Sequence, residues 1–168
     1  MRVSVHAHVG TPREAGRAAA RIALGRADIE IVNDPDGAPR LVGYPQVISI
    51  SHDAPFVAIA LADSPCGVDL CALAHEPRVR RVLAGLGIAA DPHPCLVFAA
   101  IEAALKLRRE GAWHLFDRTV AVEPRRRGSG GPASEWIAGA RVTGIGTPVD
   151  VRWELRDGYA LAWTEEPA

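Results

Sequence analysis

The chain has 168 residues, 48% hydrophobic and 23% charged, a balance that suits a folded protein with a substantial core and excludes a disordered tail. Its net charge of −1 speaks against the basic face of a nucleic-acid binder. No apolar run is long enough to span a bilayer, no signal-peptide pattern opens the chain, and Cys66, Cys71 and Cys95 form neither a C-x-x-C pair nor an even framework, so a cytoplasmic protein without membrane or nucleic-acid partners is expected.

In chain order, a short strand is expected over 3–9. A helix follows, with Thr11 as N-cap, Pro12 at its first position, Glu14 closing a capping box and Gly25 ending it. "IEIVN" alternates like a strand, and "DPDGAP" is a turn by composition. Two nearly all-apolar runs, 47–51 and 56–62, read as strands buried on both faces, and "CGVDL" as a short third. "EPRVRRVLAGLG" reads as a modest helix and "DPHPCLVFAAIEAALKLRREG" as a long one ended by Gly111. "PRRRGSGGPAS" (124–134) has the composition of a flexible loop, and four strands are expected at about 117–123, 135–143, 148–156 and 158–164, with "GIGTP" and "RDG" as turns. The order is helix then strands, twice over, with a break near Pro65. It predicts an α+β fold of two similar lobes, 1–65 and 66–168, although no repeat is visible in the residues.

The long helix carries the first chemical signal. From Cys95 to Leu105 only Glu102 is polar, and Lys106 follows one turn later. A helix apolar all round is buried, and a buried carboxylate needs a cation to answer it. Lys106 is also the only lysine among 19 basic residues. An i,i+4 pair of this kind, taken alone, is an ordinary helix-edge contact. Asp69 changes the balance, because it ends a short apolar strand where a carboxylate has no packing use. Two half-buried carboxylates and a lysine describe a site for Mg²⁺ and phosphate, in which oxygen ligands hold the metal and lysine neutralises phosphate charge. Ser51 and His52, at the end of another strand, are candidates for a second phosphate contact. His6 and His8 share a strand face but lack a third ligand, so an exposed strand is the simpler reading. Arg125, Arg126 and Arg127 read as a solvated loop. Trp113, Trp136, Trp153 and Trp163 read as core or lobe-interface residues. Gly144 and Gly146 fit a hairpin turn rather than a phosphate cradle.

Four motifs stand in a telling order: "GAP" at 37–39, "SISHD" at 49–53, "GVDL" at 67–70 and "FAAIEAALK" at 98–106. Together they resemble the 4′-phosphopantetheinyl transferases, whose motifs run Gly-Lys-Pro, Ser-His, Gly-[Ile/Val]-Asp and Trp-x-x-Lys-Glu-Ala-x-x-Lys. Ser-His before Gly-x-Asp resembles the surfactin-synthetase-activating type, built from two pseudo-symmetric lobes, each with a helix packed on an antiparallel sheet. The resemblance implies transfer of the phosphopantetheine arm of coenzyme A to a serine of an acyl or peptidyl carrier protein, with release of 3′,5′-ADP. Fatty-acid, polyketide and nonribosomal-peptide pathways use such carriers, and a monomer is the favoured state.

Carried over by position, Asp69 and Glu102 would hold Mg²⁺, and Glu102 would help deprotonate the attacking serine. Lys106 would stabilise charge on the pyrophosphate, and His52 with Ser51 would contact the 3′-phosphate. Four positions depart from the family pattern, the mildest being Phe98 in place of the tryptophan. The lysine before the glutamate is Ile101, the lysine of Gly-Lys-Pro is Ala38 with Arg40 nearby as a substitute, and the acidic residue two after the aspartate is Cys71. Two alternatives follow from these departures. One is a relative that binds carrier proteins without transfer; the other is the same fold turned to acid–base chemistry on a carrier-bound acyl chain.

Overall fold

The computed structural model describes residues 1–7, 10–111, 115, 118–125 and 139–166. Within them the chain forms an α+β fold of two five-stranded antiparallel sheets and three α-helices. Strand β1 (Arg2–Ala7) feeds helix α1 (Pro12–Leu24), which carries the chain to the far edge at β2 (Ile31–Asn33). Strands β3 (Pro39–Leu41), β4 (Val47–Asp53) and β5 (Phe56–Ala62) step back until β5 pairs with β1. The second half takes the same route. Strand β6 (Cys66–Ala72) leads to α2 (Glu76–Gly85) and α3 (Pro94–Arg108), and then to β7 (Ala121–Arg125), β8 (Gly139–Thr143), β9 (Val149–Arg156) and β10 (Tyr159–Glu165), which returns to β6. The two orders, β1-β5-β4-β3-β2 and β6-β10-β9-β8-β7, are one path walked twice.

Local chemistry explains most boundaries. The Thr11 hydroxyl accepts the Glu14 N–H at 3.4 Å and donates to its carboxylate at 2.6 Å, and Gly25 closes α1 in the left-handed region at φ 67°. Helix α3 stops at Arg108, short of Gly111, because Arg109 turns left-handed at φ 57°. A non-glycine residue there costs about 1–2 kcal/mol. Strand β3 was not expected, since "PRL" is too short to show a period. Strand β7 begins at Ala121 and runs into the expected loop, and β8 begins at Gly139. The rest of that loop, with Arg126 and Arg127, lies outside the described residues, as do His8, Val9, Trp113 and Trp136. Trp153 is buried in the second core, and Trp163 packs between the sheets. No helix among the described residues is long and apolar enough to cross a membrane.

The layers run α1, first sheet, second sheet, α3. Ala15, Ala19 and Ala20 of α1 pack on Ile48, Val57 and Ile59, while α3 fills the space over the second sheet with Leu96, Val97, Ile101 and Leu105. Between the sheets, Ala58, Ala60 and Ala62 meet Val68, Leu70 and Leu161. Gly67 sets how closely α3 lies on β6, for a Cβ there would stand 1.9 Å from the Ala103 carbonyl oxygen. That contact brings the helix down beside Asp69.

A polar seam joins the halves. Among the described residues strand β6 is an edge of its sheet, paired only with β10, so alternate backbone groups along its other side have no ladder partner there. Strand β4 supplies side chains at the matching period of two. Ser49 Oγ accepts the Val68 N–H at 3.1 Å, Ser51 Oγ the Leu70 N–H at 3.2 Å, and Asp53 Oδ2 the Ala72 N–H at 2.7 Å. Replacing Ser49 by alanine leaves a buried N–H unanswered and is expected to cost about 1–2 kcal/mol in urea unfolding. An unchanged midpoint would show that the seam does not depend on that bond.

Candidate functional site

Beside the seam, one lysine draws three elements together. Lys106, in the last turn of α3, donates from Nζ to Asp69 Oδ1 at 2.7 Å, to the Val68 carbonyl at 3.1 Å and to the Ile50 carbonyl at 3.4 Å. The Ser51 hydroxyl donates to the same Asp69 oxygen at 2.7 Å. Asp69 is 6% exposed, so its charge depends on these two donors. Helix, β4 and β6 thus meet at one carboxylate, and Ser51, accepting from Leu70 while donating to Asp69, uses both of its hydrogen-bonding capacities.

Glu102 stands one turn before Lys106 on α3, half-buried, with no hydrogen bond to a described residue. Burial pushes its carboxyl above the ordinary glutamate value, the Asp69 charge pushes it further, and Lys106 offsets part of the rise. Asp69 Oδ2 likewise makes no hydrogen bond to a described residue, because Ser51 and Lys106 both engage Oδ1. The pair therefore offers unengaged carboxylate oxygens from facing elements, the donor set of a hard divalent cation that completes its shell with water and phosphate. Cys71 adds no oxygen. Its thiol meets that of Cys95 in the core, and this contact, with burial, holds the Cys71 thiol well above the ordinary range.

A cavity of about 910 Å³ opens next to this cluster, with Lys106, Ser49 and Ile50 in its wall. Its lip is charged. Asp34 and Asp36 from the β2–β3 turn face Arg109 from the end of α3, and Arg40 of β3 bonds Asp34 at 2.9 Å. Ala38 lines the cavity, whereas Ile101, 1% exposed, is part of the core under α3.

Of the residues expected from the sequence, Asp69, Glu102, Lys106 and Ser51 come together, and Arg40 lies at the neighbouring cavity. His52 does not join them. It shares its face of β4 with Ile48 and Ile50, which face α1, and sits exposed on the side opposite to Ser49, Ser51 and Asp53. The adjacency of Ser51 and His52 in sequence places them on opposite faces of a strand, which reading them as one phosphate contact overlooked.

Sequence reasoning missed Ser49 and Asp53, whose signal was the period-two polar set in "SISHD". It also missed His75, whose Nε2 lies 3.0 Å from Asp53 Oδ1. Arg109 carried no signal, since nothing in "KLRREG" marks which arginine turns left-handed. Family models and curated proteins were both compared with the chain, and neither gave a match.

Proposed function

We propose that the protein is a compact 4′-phosphopantetheinyl transferase, with the two-lobed fold of the surfactin-synthetase-activating type. It would move the phosphopantetheine arm of coenzyme A to a carrier-protein serine in the cytoplasm. The observation that carries the reading is the meeting of Asp69 and Glu102 with Lys106, whose side chain also lines the neighbouring cavity. The repeated strand order supports the fold assignment.

Asp69 and Glu102 would hold Mg²⁺, which supplies neutralising charge to the coenzyme A pyrophosphate when bound. Lys106 fixes Asp69 and places its ammonium within reach of a phosphoryl oxygen entering from the cavity. Ser51 keeps Asp69 in orientation, so it serves as a positioning residue. Glu102, its carboxyl raised by burial and by Asp69, takes the proton from the carrier serine as the serine oxygen attacks the phosphorus and 3′,5′-ADP leaves. Positioning and charge neutralisation supply most of the catalysis in phosphoryl transfer of this kind. His52 is left out of the assignment because of the face it occupies.

The test is to incubate the protein with coenzyme A, Mg²⁺ and several apo carrier proteins and to read intact masses. One phosphopantetheine gained on any carrier supports the transferase. No gain, with an active transferase modifying the same carriers in parallel, overturns it. The result would favour the carrier-binding relative, a reading that the buried Ile101 supports because it offers no cation at that position.

A further inference from the structure

The lip of the cavity holds an arrangement that the transferase reading leaves unused. The two oxygens of Asp34 are taken by two guanidiniums from opposite sides, Arg40 through Nε to Oδ1 at 2.9 Å and Arg109 through Nη2 to Oδ2. Arg109 Nε also reaches Asp36 Oδ2 at 2.8 Å. Arg40 comes from a strand of the first sheet and Arg109 from the end of the helix that covers the second. All four residues line the cavity, and both arginine side chains are about half exposed, 56% and 51%. Ion pairs so open to water contribute little to folding, yet Arg109 occupies a left-handed position that favours glycine. Two converging guanidiniums closed on one oxyanion form the fork that recognises a phosphate, and a phosphomonoester offers more charge and one more terminal oxygen than the carboxylate between them.

We propose that Arg40 and Arg109 form the seat for a phosphomonoester on the ligand, with Asp34 as an internal counter-anion that the ligand displaces. This rests on the coenzyme A reading, in which that group is the 3′-phosphate. The seat replaces the lysine absent at Ala38 with charge drawn from both halves of the chain. It also makes binding couple the lobes, since a phosphate bridging the two arginines holds the β2–β3 side of the cavity against the end of α3.

Calorimetric titration of the protein with coenzyme A and with 3′-dephospho-coenzyme A, at one ionic strength, tests the seat. The expected result is coenzyme A bound at least tenfold more tightly. In Arg109→Gly, which suits the backbone, and in Arg40→Gln, the coenzyme A affinity falls at least tenfold and converges on that of the dephospho ligand. Asp34→Asn, which removes the competing carboxylate, raises the affinity for coenzyme A. Equal binding of both ligands by the unaltered protein, or a preference that survives both arginine substitutions, overturns the seat and leaves the transferase reading standing. Binding of neither ligand overturns both, and a 3′-phosphate preference lost in both arginine variants, with no carrier modified, keeps the seat and overturns the transfer reaction.

Discussion

Glu102→Gln is expected to abolish most transfer while leaving the protein at least as stable as before. A positioned general base contributes about 10²–10⁴-fold in rate, and glutamine keeps the shape while losing the basic oxygen, so turnover should fall by that range. The stability expectation follows from the same burial. The folded carboxyl is raised above its unfolded value, so the native state holds this proton to higher pH than the unfolded chain does. A group of this kind supports the fold fully below the unfolded value and loses that support as pH rises through the folded one. At neutral pH the ionised carboxylate is therefore a burden, and removing it should raise the melting temperature in metal-free buffer. The difference should close towards pH 4, where both states carry the proton. Turnover unchanged in the variant would remove Glu102 from the mechanism, and a drop in melting temperature would contradict the account of its burial.

Lys106→Met should do the opposite to stability. It leaves Asp69 buried with Ser51 as its one remaining donor among the described residues, and it strips the Lys106 donor from the Val68 and Ile50 carbonyls. Breaking a buried pair from one side costs about 3–5 kcal/mol; with the lysine side chain 30% exposed, the lower end is expected here. Neutralising the partner should restore part of the loss, so Lys106→Met with Asp69→Asn should be more stable than Lys106→Met alone. The coupling between the two sites in a double-mutant cycle should exceed about 1 kcal/mol, beyond the limit of simple additivity. A cycle that closes to zero would mean that the pair contributes charge to the site but no stability to the fold. Transfer should be lost in both single variants.

Elements with their own local signal were legible in the sequence. The cap at Thr11 and the proline at position 12 gave the start of α1 because the bonds that stop a helix are made within one turn. The apolar runs at 47–51 and 56–62 gave β4 and β5 for a similar reason. What failed to show were features decided by a distant neighbour. Arg109 ends α3 ahead of the available Gly111 through a grip on Asp34 and Asp36, seventy-odd positions away in the chain. Ser49 and Asp53 looked like ordinary strand residues until β6 lay beside them with its N–H groups turned their way. The catalytic candidates were legible for a different reason: carboxylates and a lysine in an apolar context are costly, and their cost marks them. His52 shows the limit of that reasoning, since polarity at a strand end does not tell which face the side chain takes.

The seam between β4 and β6 also ties the order in which the chain is made to the order in which it settles. The first sheet is completed by Ala62, before any of the second has been synthesised. At that stage Ser49, Ser51 and Asp53 lie along an open face as a ready template, spaced to receive an edge that has not yet formed. When β6 emerges it finds its exposed side already provided for, which shields it from pairing with a strand of another molecule. A cut in the short connection between Ala62 and Cys66 would leave an N-terminal piece with the template and a C-terminal piece with the bare edge. The two pieces are then natural complements, and the site around Asp69 exists only where they have found each other.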